Sequence, residues 1–202
     1  RRGEQWANAM GFLAGLGRQA LEANAVVLNA AISACESAQV AGTVGQATVA
    51  RGSVGPWARA LGVLAGMPCS GVETDVIGRN SAASACGKAG RWARALGVLS
   101  AMRGSGGLEA DVISCNVGIS ACERGLLWWR ALGWLRQAPV EGVLPNTVSL
   151  NTAVLAASSG RQWRWSLGLL REMALSAVEP DQDTYTVALM ECEQRGLRGG
   201  ER

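Results

Sequence analysis

Four asparagines, Asn29, Asn80, Asn116 and Asn151, recur in one local setting: NAAISAC at 29–35, NSAASAC at 80–86, NVGISAC at 116–122 and NTAVLAA at 151–157. A carboxamide carries both a donor and an acceptor, so each can offer two complementary groups to one polar partner. Asn is a mediocre helix former, and four copies at one interior position serve no evident folding purpose beyond a structural hydrogen bond. A second polar set, Asp75, Asp111, Asn146 and Asp181, recurs just ahead of these segments. Asp and Asn there are also the preferred helix N-caps, so capping and ligand contact are both open readings.

Other chemistry is excluded or poorly supplied. The 202 residues contain no histidine, which removes imidazole acid–base catalysis, His-dependent nucleophiles and His metal ligands. Six cysteines are present, but none forms a C-x-x-C pair, so a zinc site is not expected. The net charge of +3 is mild, and Lys88 is the sole lysine. Such a balance permits an acidic partner without demanding one. No apolar run approaches the roughly 18 residues of a membrane span. The segment MGFLAGLG at 10–17 has the look of a short signal core, yet it falls in register with the repeats described next.

The elements that position the asparagines are written in the spacing. The asparagines are separated by 51, 36 and 35 residues, with Thr186 next after a further 35. Trp6, Trp57, Trp92, Trp128 and Trp163 are separated by 51, 35, 36 and 35. Two independent markers therefore give one period of about 35, with one long interval. Cys86 to Trp92 and Cys122 to Trp128 each span six residues, whereas Cys35 to Trp57 spans 22. The excess is placed at about 39–54, between the halves of the first full repeat. Its Gly, Ala, Ser and Thr content suits a surface excursion.

Each half of a repeat has a helical period. The first halves carry apolar residues at i, i+4 and i+7, as in Leu28, Ile32, Cys35; Cys115, Ile119, Cys122; Leu150, Val154, Ala157; and Tyr185, Leu189, Cys192. The second halves carry Trp92, Ala95, Leu96, Leu99, Met102, echoed from Trp57 to Met67 and as Trp163, Ser166, Leu167, Leu170, Met173. The leading tryptophans are expected in the core, while Trp129, Trp134 and Trp165 fall off the stripe without an assigned role. Gly90, Gly125 and Gly160 sit where the first helix must stop and turn, and Pro145 and Pro180 lie in the links between repeats. Such helix–turn–helix units cannot bury their stripes alone and stack into an all-α, right-handed α-solenoid. Cys35, Cys86, Cys122 and Cys192 share one place in successive first helices. Equivalent helices pack about 8–10 Å apart, beyond the roughly 7 Å reach of a disulfide, so these are expected to be unbridged packing thiols.

The frame DVISCNVGISACERG…WWRALGWL…GVLPN, continued by TVSLNTAVLAASSGRQW…SLGLLREM…VEPD, resembles the pentatricopeptide repeat (PPR) family in its purely repeat, 35-residue type. The resemblance covers nearly the whole chain. It implies a partial repeat at 1–24, full repeats at 25–75, 76–111, 112–146 and 147–181, and a partial repeat with a tail at 182–202. Tetratricopeptide repeats have a period of about 34 and a different opening motif.

The resemblance further implies sequence-specific binding of single-stranded RNA, one base per repeat, in organellar RNA metabolism. The fifth and last residues of a repeat would read a base together: Asn29 with Asp75, Asn80 with Asp111, Asn116 with Asn146, and Asn151 with Asp181. The second residues, Val26, Ile77, Ile113 and Val148, would pack on base faces, although a plain core position explains them equally well. Asp183 in the last, partial repeat departs from that pattern. Lys88 and Arg124 match a backbone-contacting site, with ordinary solvated charges as the alternative; repeats one and four have Ser37 and Ser159 there. By the same resemblance, Asn with Asp favours uridine and Asn with Asn leans to cytidine, giving U-U-C-U, or U-U-U-U more weakly. No catalytic residue, metal or cofactor is expected, and the location would be mitochondrial or chloroplast. A protein–protein scaffold is the alternative reading. Unpaired helices at the two ends, exposing pairs such as Leu13 with Leu16 and Leu189 with Cys192, would leave them prone to fraying and self-association.

Overall fold

The computed structural model describes residues 25–42, 55–67, 74–104, 110–176, 178–187 and 190. The terminal helix expected before residue 25, the insertion from residue 43 onward, and Leu189 and Cys192 lie outside the described residues, as do the ends at which self-association was expected. The chain divides into two compact units, Arg1–Glu109 and Ala110–Arg202. The division falls at the link between the second and third repeats.

All regular structure among the described residues is helical. In the first unit α1 (Ala25–Gly42) and α2 (Pro56–Gly66) form one hairpin, and α3 (Val76–Lys88) and α4 (Trp92–Gly104) the next. In the second unit the hairpins are α5 (Val112–Arg124) with α6 (Trp128–Gln137), and α7 (Thr147–Ser159) with α8 (Trp163–Leu175). A short 3-10 turn, Ala138–Glu141, follows α6. Within each unit the first helix of a hairpin packs on its own partner and on the first helix of the next hairpin. This is the stacked helix–turn–helix arrangement that the 35-residue period predicts. Helix α1 departs from the plan: it spans 18 residues where α3, α5 and α7 span 13, and so runs past position 39 into the inserted tract.

The predicted stripes are largely the core. Ile32, Cys35, Ile119, Cys122, Val154 and Ala157 are fully buried, as are Ala95, Leu99 and Met102. Among the described residues two of the predicted stripe are exposed. Tyr185 is half-exposed while its neighbour Thr184 is buried. Leu167 is also exposed, and Leu169 takes its place inward beside Ser166 and Met173. Helix α6 is flanked by the first helix of the following repeat, α7, as well as by its own partner. Helix α8 packs on α7, so its apolar side turns toward that one neighbour. The leading tryptophans Trp57, Trp92, Trp128 and Trp163 are half-buried rather than core. Their rings sit at the hairpin edge, where Arg91 and Arg94 stack over Trp57 at 5.5 and 4.8 Å from its centroid.

The turns close in a way the glycine pattern does not reveal. In each of three hairpins a backbone bond, Arg91 N to Cys86 O, Leu127 N to Cys122 O and Gln162 N to Ala157 O, each 2.9 Å, ties off the first helix. The left-handed residue of that closure is Gly90 in the second repeat, but Leu126 (φ 56°) and Arg161 (φ 55°) in the third and fourth. Gly125 and Gly160 have ordinary negative φ. Gly160 is small for another reason: a Cβ there would stand 2.6 Å from Trp128 Cγ, inside the indole of the preceding repeat.

Candidate nucleic-acid interface

The last residue of each repeat is first of all an N-cap. Asp75 accepts from Gly78 N at 2.8 Å, Asp111 from Ser114 N at 2.7 Å, Asn146 from Ser149 N at 3.0 Å and Asp181 from Thr184 N at 2.8 Å. At Asp111 and Asn146 the cap is reciprocal, with the Ser114 and Ser149 hydroxyls accepting from the backbone amides of the capping residues. These bonds fix the side chains at the start of each first helix.

The cap is also where the asparagine of the same repeat arrives. Asn29 Nδ2 donates to Asp75 Oδ2 at 2.7 Å, so one carboxylate oxygen caps the helix and the other holds the carboxamide. In the second unit Asn116 Nδ2 lies 3.4 Å from Asn146 Oδ1, and the Ser149 hydroxyl donates to Asn116 Oδ1. Asn151 lies near Asp181, whose carboxyl is held below its usual range chiefly by Thr184, with a smaller pull from Asn151. Three of the four predicted pairs are therefore brought together side by side. The fourth has Asn80 in the first unit and Asp111 in the second.

Beside the pairs stand the second-place residues, three positions before each asparagine and hence on the same helix face. Val26, Ile77, Ile113 and Val148 are 73, 66, 60 and 56 % exposed. These four side chains are exposed rather than part of the core. Four β-branched side chains therefore recur at one register on the surface of both units, each three residues before an asparagine, of which Asn80 and Asn151 are themselves buried. Asp183 at the same place in the last repeat is exposed and breaks the series.

The basic residues contribute less than their number suggests. Lys88 Nζ is bound to Glu36 Oε1 at 2.6 Å, and the Ser84 hydroxyl donates to the same oxygen at 2.7 Å. The lysine is thus engaged by the preceding repeat instead of standing as a solvated charge. Arg124 is exposed near the end of α5. Arg79 bonds Thr74, with Nη2 2.7 Å from its hydroxyl, and Arg136 stacks over Trp165 at 4.8 Å.

Among the described residues, Cys35, Cys86, Cys115 and Cys122 are buried and form no disulfide. Burial pushes the thiols of Cys86 and Cys122 up to about 11, against the weaker opposing pull of Arg94 and Arg130, and raises Cys35 as well. Among the described residues no group of three or more Cys, Asp or Glu is placed to hold a metal, and no helix is long and apolar enough to cross a membrane.

Two residues of this surface escaped the sequence reading: Gly78 and Ser149, at the third place of their repeats, touch the asparagine of the repeat before. The available signal was the run Gly78, Ser114, Ser149, Thr184 three residues after each cap, where reciprocal capping residues belong.

No family pattern and no curated protein sequence matches this chain. Solved structures do. The chain is similar to the PPR domain of Arabidopsis thaliana protein-only RNase P 1, solved with tRNA, with a TM-score of 0.74 at 11 % identity over 94 % of this chain and 91 % of that one. It is also similar to the pentatricopeptide repeat protein PPR10 in complex with an 18-nucleotide psaJ RNA element, with a TM-score of 0.67 at 20 % identity over 89 % of this chain. The pentatricopeptide repeat protein PPR10 from maize gives a TM-score of 0.63 at 20 % identity over 96 % of this chain. The chain spans about a quarter of PPR10, 24 and 26 % in the two comparisons. In its fold, this chain is a repeat protein of the pentatricopeptide type.

Proposed function

We propose that the chain binds single-stranded RNA, one base per repeat, and acts by binding without catalysis of its own. The observation that carries this reading is a recurring arrangement: an exposed Val or Ile three residues before an asparagine, which at Asn29 and Asn116 meets the Asp or Asn that ends its own repeat. A β-branched side chain offers a flat apolar surface to a base face, and the adjoining carboxamide and carboxylate offer the acceptors and donors that a base edge needs. The solved relatives bound to tRNA and to a psaJ RNA element support RNA as the ligand class.

The reading pairs are Asn29 with Asp75, Asn80 with Asp111, Asn116 with Asn146 and Asn151 with Asp181, and the preferred sequence is U-U-C-U, in a mitochondrion or chloroplast. Stacking is worth about 1–3 kcal/mol per base before ordering costs, so four bases give micromolar affinity or weaker. Selection from a randomised single-stranded RNA pool tests the reading. Enrichment of a pyrimidine tetrad, lost on Ile113→Asp while helicity is kept, is the expected result. An unenriched pool, or a protein partner captured by the same face in place of RNA, would point to a scaffold.

A further inference from the structure

We infer that the residue at the third place of a repeat selects which hydrogen-bonding groups of the preceding repeat's asparagine are free, making Gly78 and Ser149 positioning residues for base choice. The inference rests on the base-per-repeat reading and adds a residue to it. The two junctions differ at this place, Gly78 against Ser149, and at the last residue, Asp75 against Asn146. At the first, Asn29 gives its Nδ2 to Asp75, and its carboxamide oxygen is buried without a hydrogen-bond partner. That oxygen lies against Gly78: a Cβ built there would collide with Oδ1 and stand 3.4 Å from Cγ. Only the missing side chain at position 78 leaves room for the carboxamide in this pose.

At the second junction the Ser149 hydroxyl occupies the same role from the opposite direction. It donates to Asn116 Oδ1, and the Nδ2 group sits 3.4 Å from Asn146 instead of 2.7 Å from a carboxylate. A desolvated acceptor without a partner gains a full hydrogen bond when a base donor arrives, whereas an acceptor already held must share or exchange one. Asn29, like Asn151 beside Thr184, keeps a buried acceptor without a partner, whereas Asn116 is partly satisfied before any ligand binds. The cap itself does not require the difference. Ser114 and Ser149 carry a Cβ and keep the same cap bond that Gly78 makes, 2.7 and 3.0 Å against 2.8 Å. Glycine is also a poor helix residue, so its presence at this place is not explained by helix stability.

The test is base selection by the 202-residue chain carrying Gly78→Ser or Ser149→Ala, with Asn29→Ala as the reference. Gly78→Ser displaces the Asn29 carboxamide and is expected to reduce discrimination at the first base about tenfold, the size expected for one lost hydrogen bond. The other three bases and the circular dichroism should not move. Ser149→Ala keeps the helix and frees Asn116 Oδ1, so the third base alone should change preference. A purely structural role for these residues would shift the melting temperature and weaken all four bases equally. Unchanged profiles in both variants, with Asn29→Ala flattening the first base, would overturn the inference while the reading stands. A profile unchanged even by Asn29→Ala would sink the reading and the inference with it.

Discussion

The indole of Trp134 lies against Gly118 so closely that a Cβ on the glycine would stand 2.8 Å from Trp134 Cδ2. The same place in the other first helices is Ala31, Ala82 or Ala153, and the facing place in the second helices is Val63, Val98 or Leu169. The third repeat pairs a smaller residue with a larger one at this contact. Gly118→Ala should therefore destabilise the second unit by about 1–3 kcal/mol through overpacking, despite alanine's better helix propensity. Adding Trp134→Val should restore stability, and a double-mutant cycle by chemical denaturation measures the coupling. Simple additivity would rule the contact out.

Leu126 and Arg161 hold left-handed backbone at φ 56° and 55°, and both side chains are exposed. Glycine relieves that strain at little cost in packing, as Gly90 does at φ 71° in the second repeat. Each of Leu126→Gly and Arg161→Gly should raise stability by about 0.5–1 kcal/mol. A lowered thermal midpoint in either variant would contradict the turn geometry.

What the sequence made legible was whatever had been copied. Asparagine and tryptophan spacing gave the period, and the i, i+4, i+7 stripes gave both helices of the hairpin, because periodicity reports local geometry directly. Contacts between repeats were hidden. Gly160 reads as a turn residue, yet its smallness makes room for Trp128, and Trp134 is inexplicable without knowing that Gly118 faces it. Val26 and its equivalents could not be placed inside or outside from residue type, since the same side chains suit a core and a base-stacking surface. Lys88 could not be matched to Glu36, 52 residues away, by any local rule.

Cys86 and Cys122 have thiols raised to about 11 by burial. They should resist alkylation at pH 8 in the native protein and react promptly once it is unfolded, as mass spectrometry would show. The sign for stability follows from the raised value. The thiol contribution is complete below the unfolded value of 9.0 and is lost as pH rises toward 11, because the unfolded state then ionises first. Stability that increases over that interval would contradict the burial of these groups.

Glu36 holds Lys88 and Ser84 at 2.6 and 2.7 Å. Glu36→Gln removes the opposing charge and releases the ammonium toward phosphate. RNA affinity at low salt should rise about two- to threefold, with a steeper salt dependence. Unaltered affinity across salt concentrations would show that Lys88 lies out of reach of the RNA backbone.

Base choice by the asparagine pairs is the central claim, and Asn146→Asp tests it most directly. Aspartate caps the helix as well as asparagine does, so the fold is kept. The substitution gives the third repeat the Asn-with-Asp combination that Asn29 and Asp75 already show at 2.7 Å. Selection from a randomised RNA pool should move the third base from C toward U and leave the other three bases where they were. A third base that keeps its preference, in a variant that folds and binds as before, would mean that Asn146 is a cap and nothing more.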